Sequence, residues 1–529
     1  MDFYKKTIYK KFLEMIKYKI EENMKKINEI KIDQIPSEIL EIDQKLKKAG
    51  FDAYLVGGCV RDLILGQKPK DWDFTTNAKP EEIQKVFPKS FYDNKFGTVA
   101  VLTNSKDQTL EKVEITPFRK EGKYSDKRHP DEIKWAETLE EDLKRRDFTI
   151  NAMALKINFQ FSIFNFQLID LFDGQKDLKK KIIRAVGEPN ERFQEDALRL
   201  IRAVRLATEL DFKIEEKTEK AIKKNAQLIG FIAKERIRDE LIKILESKNP
   251  SRGIEDLEKL GLLHYIIPEL REGIGVSQNW AHIYNVWEHQ LRSLQAAADC
   301  NFDLEVRLAA LFHDIGKPYV KEGEGPDATF YNHDIVGAKA TKKILKRLKF
   351  PKKITEKIVR LVRNHMFNSD PERLTEHGAR RLWRRIAGDR EINEEVRKEM
   401  QDLINLRIAD RMGMEKKPRP FRLRSIEALL EKVSRDPISE KMLNINGYEI
   451  MEILKIKPGP RVGALLKILL AEVLERPEKN DKDYLKKRVK ELGELSDQNL
   501  EELKKSAQMR IEKEIEKEEE GIKAKYFLK

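Results

Sequence analysis

At 529 residues the chain is too long for one ordinary domain, and at one domain per ~150 residues it has room for roughly three or four. A formal net charge of +13 and a pI near 9.2 give a surface that attracts polyanions such as RNA, although a lysine-rich proteome would produce the same composition. Two cysteines, Cys59 and Cys300, are too few and too far apart for a disulfide framework or a thiolate cluster. There is no run of about 18 apolar residues and no apolar signal core, so the expectation is a soluble protein of a reducing cytoplasm with no membrane partner.

Residues 1–36 read as a basic amphipathic extension, with Phe12, Ile16 and Ile20 at helical spacing before Pro36. From 37 to 185 short apolar strands (AYLVGG, DFTT, TVAVLT, KVEITPF) alternate with helices and turns, the pattern of an α/β or α+β unit. Residues 186–275 are helical, and 280–415 are helical again and hold six of the eight histidines. Beyond Pro418 and Pro420, residues 416–529 form a further helical region; its stretch from about 480 is almost entirely charged and reads as a solvated helix or a disordered tail.

Two places concentrate chemistry. In the first, the strand Leu55-Val56 runs into Gly57-Gly58 and a helix start carrying Arg61. Paired glycines let a backbone approach a phosphate, helix-opening N–H groups attract anions, and Arg61 adds a fixed cation, although Gly-Gly after a strand is usually only a turn. A dozen residues on, Asp71 and Asp73 lie at i and i+2, so on a strand both carboxylates leave the same face. Such a pair suits Mg²⁺ holding a triphosphate; a lone Asp-x-Asp is more often a solvated turn, and the preceding glycine turn tips the balance. Glu114, on the strand Val113-Glu114-Ile115, is a candidate third carboxylate, with an exposed strand glutamate as the commoner explanation.

GGCVRDLILG followed by KDWDFTT resembles the head of class II CCA-adding enzymes and bacterial poly(A) polymerases, the tRNA nucleotidyltransferase family. Arg145-Arg146-Asp147-Phe148-Thr149-Ile150-Asn151 resembles that family's second motif, which implies ribose and phosphate contacts for Arg146, Asp147 and Asn151, and DLFDGQKDL resembles the hairpin and helix that follow. The resemblance covers about residues 50–270. It implies an α+β fold: a small nucleotidyltransferase head sheet with helices, then an all-α neck and body. It also implies Mg²⁺ at the head and tRNA, CTP and ATP as partners. The loop Glu121–Pro130 resembles the flexible loop of members that add the terminal A.

The segment from Arg192 to Arg205 reads as one helix with Asp196 and Arg199 three apart on a shared face, by default a weak surface ion pair. A sharper reading exists. Cytosine and adenine both present an amino donor beside a ring-nitrogen acceptor, which an aspartate and an arginine could match, whereas uracil and guanine present the reverse. In the family, the Glu-Asp-x-x-Arg motif is implied to act as that template. Arg202 and Arg205 continue the row and are candidate phosphate ligands, or simply solvated.

In the second place, His289, His313-Asp314 and Asp410 come from separate helical segments. A lone histidine on an apolar helix is usually a core residue, but an adjacent His-Asp after Ala309-Ala310-Leu311-Phe312 needs a buried partner, which a divalent transition metal supplies. The order His, His-Asp, Asp and the form HDIGKP resemble the HD phosphohydrolase superfamily, which implies an all-α HD domain; His333 and His365 fall where two-metal members place further histidines, and His282 lines the region at most. The combined reading is an enzyme that adds CCA, or its terminal A, to tRNA 3′ ends and whose HD domain hydrolyses phosphoesters. The alternatives are a poly(A) polymerase, or an RNA-processing HD hydrolase with an inactive head.

Overall fold

The protein was analysed as a computed structural model, which describes residues 32–92, 97–120, 134–160, 163–279, 283–367, 375–414 and 443–506, with 430 and 440. Residues 1–31 of the expected N-terminal extension, the whole loop 121–130, His282 and the charged tail beyond 506 lie outside the described residues. The chain divides into two compact units, one of residues up to Ile244 with Glu255–Ile266, the other of Leu245–Ile254 with the chain from Ile267 onward. The boundary cuts through the helical segment 186–275.

The first unit opens with helix α1 (Ser37–Lys48), strand β1 (Ala53–Val56), the short helix α2 (Gly58–Ile64) and strand β2 (Asp73–Thr76). Then come α3 (Pro80–Val86), β3 (Ser90–Tyr92), β4 (Val99–Leu102), β5 (Lys112–Pro117), α4 (Leu139–Lys144), β6 (Met153–Gln160) and β7 (Ile163–Asp170). The seven strands form one mixed sheet in the order β3-β4-β5-β2-β1-β6-β7, with β2 and β5 parallel and the other neighbours antiparallel. β1 and β2 are central and buried along their length, except for Asp73, the first residue of β2, which is half-buried. Helices α5 (Gly174–Lys180), α6 (Pro189–Glu195), α7 (Leu198–Leu210), α8 (Glu216–Asn225) and α9 (Lys234–Glu246) follow, so the expected order of sheet then helices holds.

The expectation of one helix from Arg192 to Arg205 does not. The backbone of Asp196 is extended (φ −134°, ψ 104°), ending α6 at Glu195, and α7 starts two residues later. Asp196 and Arg199 therefore do not share a helix face by i,i+3 spacing.

The second unit is helical: α10 (Val286–Asp299), α11 (Leu304–Phe312), α12 (His333–Arg347), α13 (Lys352–Asn364), α14 (Glu376–Ala387) and α15 (Glu394–Gly413), then α16 (Gly447–Leu454), α17 (Pro460–Glu475) and α18 (Lys482–Gly493). The last three correct the reading of the chain beyond residue 480 as a solvated tail. Leu485, Val489 and Leu492 recur at helical spacing and are buried with Leu465, Leu469 and Val473 of α17 and Ile450 of α16; Leu500 joins the same core. High charge occupies only the outer face. No helix among the described residues is long and apolar enough to cross a membrane.

Truncating Leu485 to Ala should cost about 2–4 kcal/mol, the usual penalty for a buried leucine. Limited proteolysis of the variant should open the segment 443–506 first; an unchanged digestion pattern and melting curve would contradict the packing.

Candidate functional site

In the first unit the parallel register of β2 and β5 sets Asp73 opposite Glu114, and the pairing continues backward through the Glu114 N–H, which donates to the Trp72 carbonyl at 3.3 Å. The strand starts only at Asp73, so the expected pairing of the two aspartates on one strand does not hold: Asp71 is exposed in the bend before it, Trp72 is buried and Asp73 is half-buried. Glu114, the candidate third carboxylate of the sequence, thus stands beside Asp73. Burial first, then the charges of Glu114 and Asp71, push the Asp73 carboxyl up to about 6, against the pull of Arg146 and Arg202. A buried carboxylate that its own neighbours do not neutralise suits a divalent cation.

Gly57 sits beside this group with φ +80°, which only glycine adopts without strain, and a Cβ there would lie 3.3 Å from Arg146 Nη1 and 3.7 Å from Asp73 Oδ2. Glycine therefore keeps the strand end open towards the carboxylate. Arg61 flanks Gly58 and is tied by Nε to Asp62 (2.8 Å) and by Nη1 to the Asn151 side-chain oxygen (2.8 Å). The sequence did not single out Asp142, which is buried and receives Arg145 (2.5 Å) and Arg146 (3.0 Å); burial raises its carboxyl, but the two guanidiniums outweigh it and hold it at about 2. Asp147 is spent internally, accepting from the Phe148 N–H and pairing with Arg202 at 2.8 Å.

Asp196 accepts from the Leu198 N–H (3.0 Å) through one oxygen and pairs with Arg236 of α9 (3.0 Å) through the other. Arg199, buried, donates to the carbonyls of Arg192 and Arg145 and to Glu195 at 2.7 Å. Arg205 is anchored to Glu240, also of α9, at 2.7 Å. Neither Arg236 nor Glu240 was visible from the motif, because both lie some forty residues downstream.

In the second unit six buried side chains converge. His289 of α10 faces His313 Nε2 to Nε2 at 3.1 Å and meets Asp410 of α15 at 3.1 Å, and Asp314 lies 3.3 Å from His313 and 3.6 Å from His289. On the far side of Asp314, His333 and His365 stand 3.5 and 3.7 Å from its other oxygen and 3.3 Å from each other, again through Nε2. Asp314 thus belongs to two groups with metal-ligand geometry, His289/His313/Asp314 and Asp314/His333/His365.

The ring orientations test the fit. Nδ1 of His313, His333 and His365 lies 2.7–2.8 Å from the carbonyls of Ala310, Phe330 and Val362, which can only accept, so Nδ1 carries the proton. In the neutral ring Nε2 is then a bare lone pair, and lone pairs converge on one another and on a carboxylate, an arrangement that calls for a cation. Burial pushes His333 down to about 4, so a proton is a poor substitute there. Two further residues that the motif left unnoticed balance the carboxylates: Lys317 contacts Asp314 at 2.7 Å, and Arg407 contacts Asp410 at 2.6 Å. Both stand three residues from their partner on a helical turn. The HD turn itself packs against α12 through glycine, since a Cβ on Gly316 would meet the His333 carbonyl at 2.1 Å.

A mixed sheet presenting carboxylates beside a glycine turn, followed by helices and by a helical unit with a His/Asp cluster, defines a nucleotidyltransferase head joined to an HD domain. Residues 53–184 match the profile of the Poly A polymerase head domain, residues 211–274 that of the probable RNA and SrmB-binding site of polymerase A, and residues 286–412 that of the HD domain. In these segments the chain is similar to the CCA-adding enzymes and bacterial poly(A) polymerases, with an HD domain match downstream. It is 48% identical over 238 residues to the CCA-adding enzyme of Ligilactobacillus salivarius, 44% of this chain and 56% of that enzyme, and 47% identical over 241 residues to that of Limosilactobacillus reuteri, 45% and 57%. The chain therefore spans little more than half the length of these curated relatives. Among solved structures, the Bacillus stearothermophilus CCA-adding enzyme in complex with CTP is 29% identical, with a TM-score of 0.64 over 86% of this chain and 96% of that one. The Thermotoga maritima CCA-adding enzyme complexed with tRNA, at 22% identity and a TM-score of 0.51 over 88% and 98%, shares the fold.

The raised Asp73 carboxyl yields a stability prediction. Its folded value (about 6) exceeds its ordinary one (3.8), so the folded state holds this proton more tightly, and the associated stability is present below about 3.8 and lost as pH rises through 6. Asp73→Asn escapes that loss. In EDTA at pH 7.5 the variant should be more stable than wild type by at most about 3 kcal/mol, a gap that closes on acidification from pH 6 to 4. A denaturant titration across pH checks this, and equal stability at pH 7.5 would mean that the carboxylate is not strained.

Proposed function

We propose that this chain adds CCA, or its terminal A, to tRNA 3′ ends from CTP and ATP, and that its HD domain hydrolyses phosphoesters. The observation that carries the first half is the under-neutralised carboxylate of Asp73 beside Gly57, with Asp71 and Glu114 adding negative charge around it. The CCA-adding relatives support this reading over a poly(A) polymerase. Asp71 and Asp73 would hold Mg²⁺, which would supply charge neutralisation for the triphosphate and acidify the attacking 3′-hydroxyl. The chain's own residues then have separable tasks. Gly57 and Gly58 let the backbone approach the phosphates, with Arg61 fixed by Asp62 and Asn151 as their cation. Arg146, held by Asp142, directs its charge towards Asp73, while Asp147 orients Arg202.

Base choice falls to Asp196 and Arg199. Although they lie on opposite sides of a helix break, each is fixed by its own contacts, Asp196 by the Leu198 N–H and Arg236, Arg199 by two carbonyls and Glu195. Fixed donors and acceptors discriminate because a wrong base leaves buried groups facing like partners. Arg202 and Arg205 stand further along α7 as phosphate ligands. The finer division of the chain belongs to this proposal too: an extension (1–36), the head (37–185), a neck and body (186–275), the HD domain (280–415) and a C-terminal region (416–529). So does a cytoplasmic location.

For the HD domain, His289, His313, Asp314 and Asp410 would hold one divalent transition metal and His333 and His365, sharing Asp314, a second; Mn²⁺, Fe, Co²⁺ or Ni²⁺ suit such mixed nitrogen and oxygen ligands and would polarise a phosphoryl oxygen. Lys317 and Arg407 neutralise the two carboxylates, so bound metal leaves the pocket positive and ready for a phosphate. A tRNA end closed as a 2′,3′-cyclic phosphate cannot be extended, and joining the two activities would clear and rebuild it.

The test for the head is to incubate the protein with tRNA lacking its 3′ end and each NTP singly. Asp71→Ala or Asp73→Ala should reduce addition at least 100-fold while tRNA binding persists, and Asp196→Ala or Arg199→Ala should raise UTP and GTP use relative to CTP and ATP by 10-fold or more. Full Mg²⁺-dependent addition by either carboxylate variant refutes the metal role, and unchanged base ratios refute the template role.

For the HD cluster the shared ligand makes a graded prediction. After loading with Mn²⁺, Asp314→Ala should lose both bound equivalents and all phosphoester hydrolysis, whereas His365→Ala should lose only one equivalent by elemental analysis. Two equivalents retained in His365→Ala would remove the second site.

A further inference from the structure

Helix α12 carries two kinds of residue on two faces. Gly337, Ala338, Thr341, Ile344 and Leu345 are buried, while Lys339, Lys342, Lys343 and Lys346 are exposed. These lysines stand at i, i+3, i+4 and i+7, a single stripe about 10 Å long. Every neighbouring pair in the stripe is of like charge at three- or four-residue spacing, which destabilises a helix.

Elsewhere the protein avoids this cost. Lys220, Lys223 and Lys45 each pair with a glutamate one turn earlier on their own helix. The four lysines of α12 make no ion pair among the described residues. Lys343 feels Glu269 at longer range, but Arg347 already engages both oxygens of that carboxylate, at 2.6 and 2.7 Å. Between Lys339 and Lys353 there are eight Lys or Arg and no Asp or Glu, a local +8 in a chain whose formal net charge is +13. Arg347, Lys352 and Lys353 are paired with Glu269, Glu356 and Glu395, so within this run the charge without an ion-pair partner includes the four-lysine stripe.

We infer that the outer face of α12 binds an RNA backbone and leads the strand towards the His/Asp cluster. Phosphates on one strand follow at roughly 3.4 Å, so the stripe faces about three or four of them. The same helix opens with His333, about 20 Å from Lys346 at 1.5 Å per residue, so strand path and candidate metal ligand belong to one rigid element. A membrane surface fits less well, because the face opposite the lysines is buried in the protein and offers no apolar residues for insertion. The binding claim stands on the charge pattern alone; only the destination of the strand rests on reading the cluster as a phosphoester site.

The experiment uses the full chain with Lys339, Lys342, Lys343 and Lys346 all changed to Gln, and a second variant with all four changed to Arg. Affinity for a tRNA transcript is measured from 50 to 300 mM KCl. The Gln variant should show a slope of log affinity against log salt smaller by about 2–3, since each phosphate contact contributes roughly 0.7–0.9, and binding at 50 mM weaker by at least 10-fold. The Arg variant should bind as wild type does. Hydrolysis of bis(p-nitrophenyl) phosphate, too small to reach the stripe, should be unchanged in the Gln variant, whereas KM for an RNA ending in a 2′,3′-cyclic phosphate should rise at constant kcat. An unchanged salt slope in the Gln variant overturns the proposal, as does loss of binding in the Arg variant. So does flotation with anionic vesicles that depends on these lysines while RNA affinity does not. If wild type hydrolyses neither substrate but the salt slope still falls, the phosphoester reading fails and the RNA surface stands.

Discussion

Asp73 and Glu114 stand opposite each other because two strands of the head run parallel in that register, and while Lys112 of β5 pairs with Glu114 at 3.0 Å, Asp73 has no ion pair of its own among the described residues. Arg146 approaches, but Asp142 already claims it; Arg202 approaches, but Asp147 claims that. Negative charge is thus left in excess at the sheet edge and positive charge is held one step away. Much of the head follows from this constraint: glycine at 57 where any side chain would close the gap, a buried Asp142 holding two arginines in place, and Cys59 in the first turn behind, whose thiol burial and the Asp73 charge push up to about 12.

The HD unit solves the opposite problem. Its two carboxylates are each matched by a cation three residues away, and its histidines are buried, with His313, His333 and His365 oriented by main-chain carbonyls. What is left in excess there is lone pairs, not charge. One chain therefore contains a carboxylate site suited to a hard cation carrying a polyphosphate and an imidazole-rich site suited to softer divalent metals. The difference arises from ligand type and neighbouring charge, and each can be read without reference to the other.

What the sequence disclosed was local. Gly57-Gly58 and Asp71-x-Asp73 sit about a dozen residues apart, and the apolar run Ala53–Val56 that makes β1 a buried strand is visible in the same window. His313-Asp314 announced itself by adjacency after an apolar run. Contacts that depend on folding were hidden: Arg236 meets Asp196 across forty residues, and the helix break at Asp196 was masked because Glu-Asp-Ala-Leu-Arg contains nothing that forbids a helix. Glu114 was undervalued because only the β2–β5 register reveals its neighbour. The region after residue 480 was misjudged for another reason: abundant charge concealed Leu485, Val489 and Leu492, whose period was present all along. Lys317 and Arg407 were legible in principle, since each lies three residues from a candidate ligand.

The packing of Gly316 against the start of α12 bears on how the two halves of the HD cluster are spaced. Backbone meets backbone there, with the Gly337 N–H and the His333 carbonyl both inside the space a methyl group would take. No rotamer change can relax such a junction, and a slide of α12 by one turn, about 5.4 Å, would drive a residue with a side chain into it. The distance between the pair His289/His313 and the pair His333/His365 is therefore a property of the main chain. Ions held by both groups would have to fit that gauge, which would select among them by span as well as by ligand chemistry.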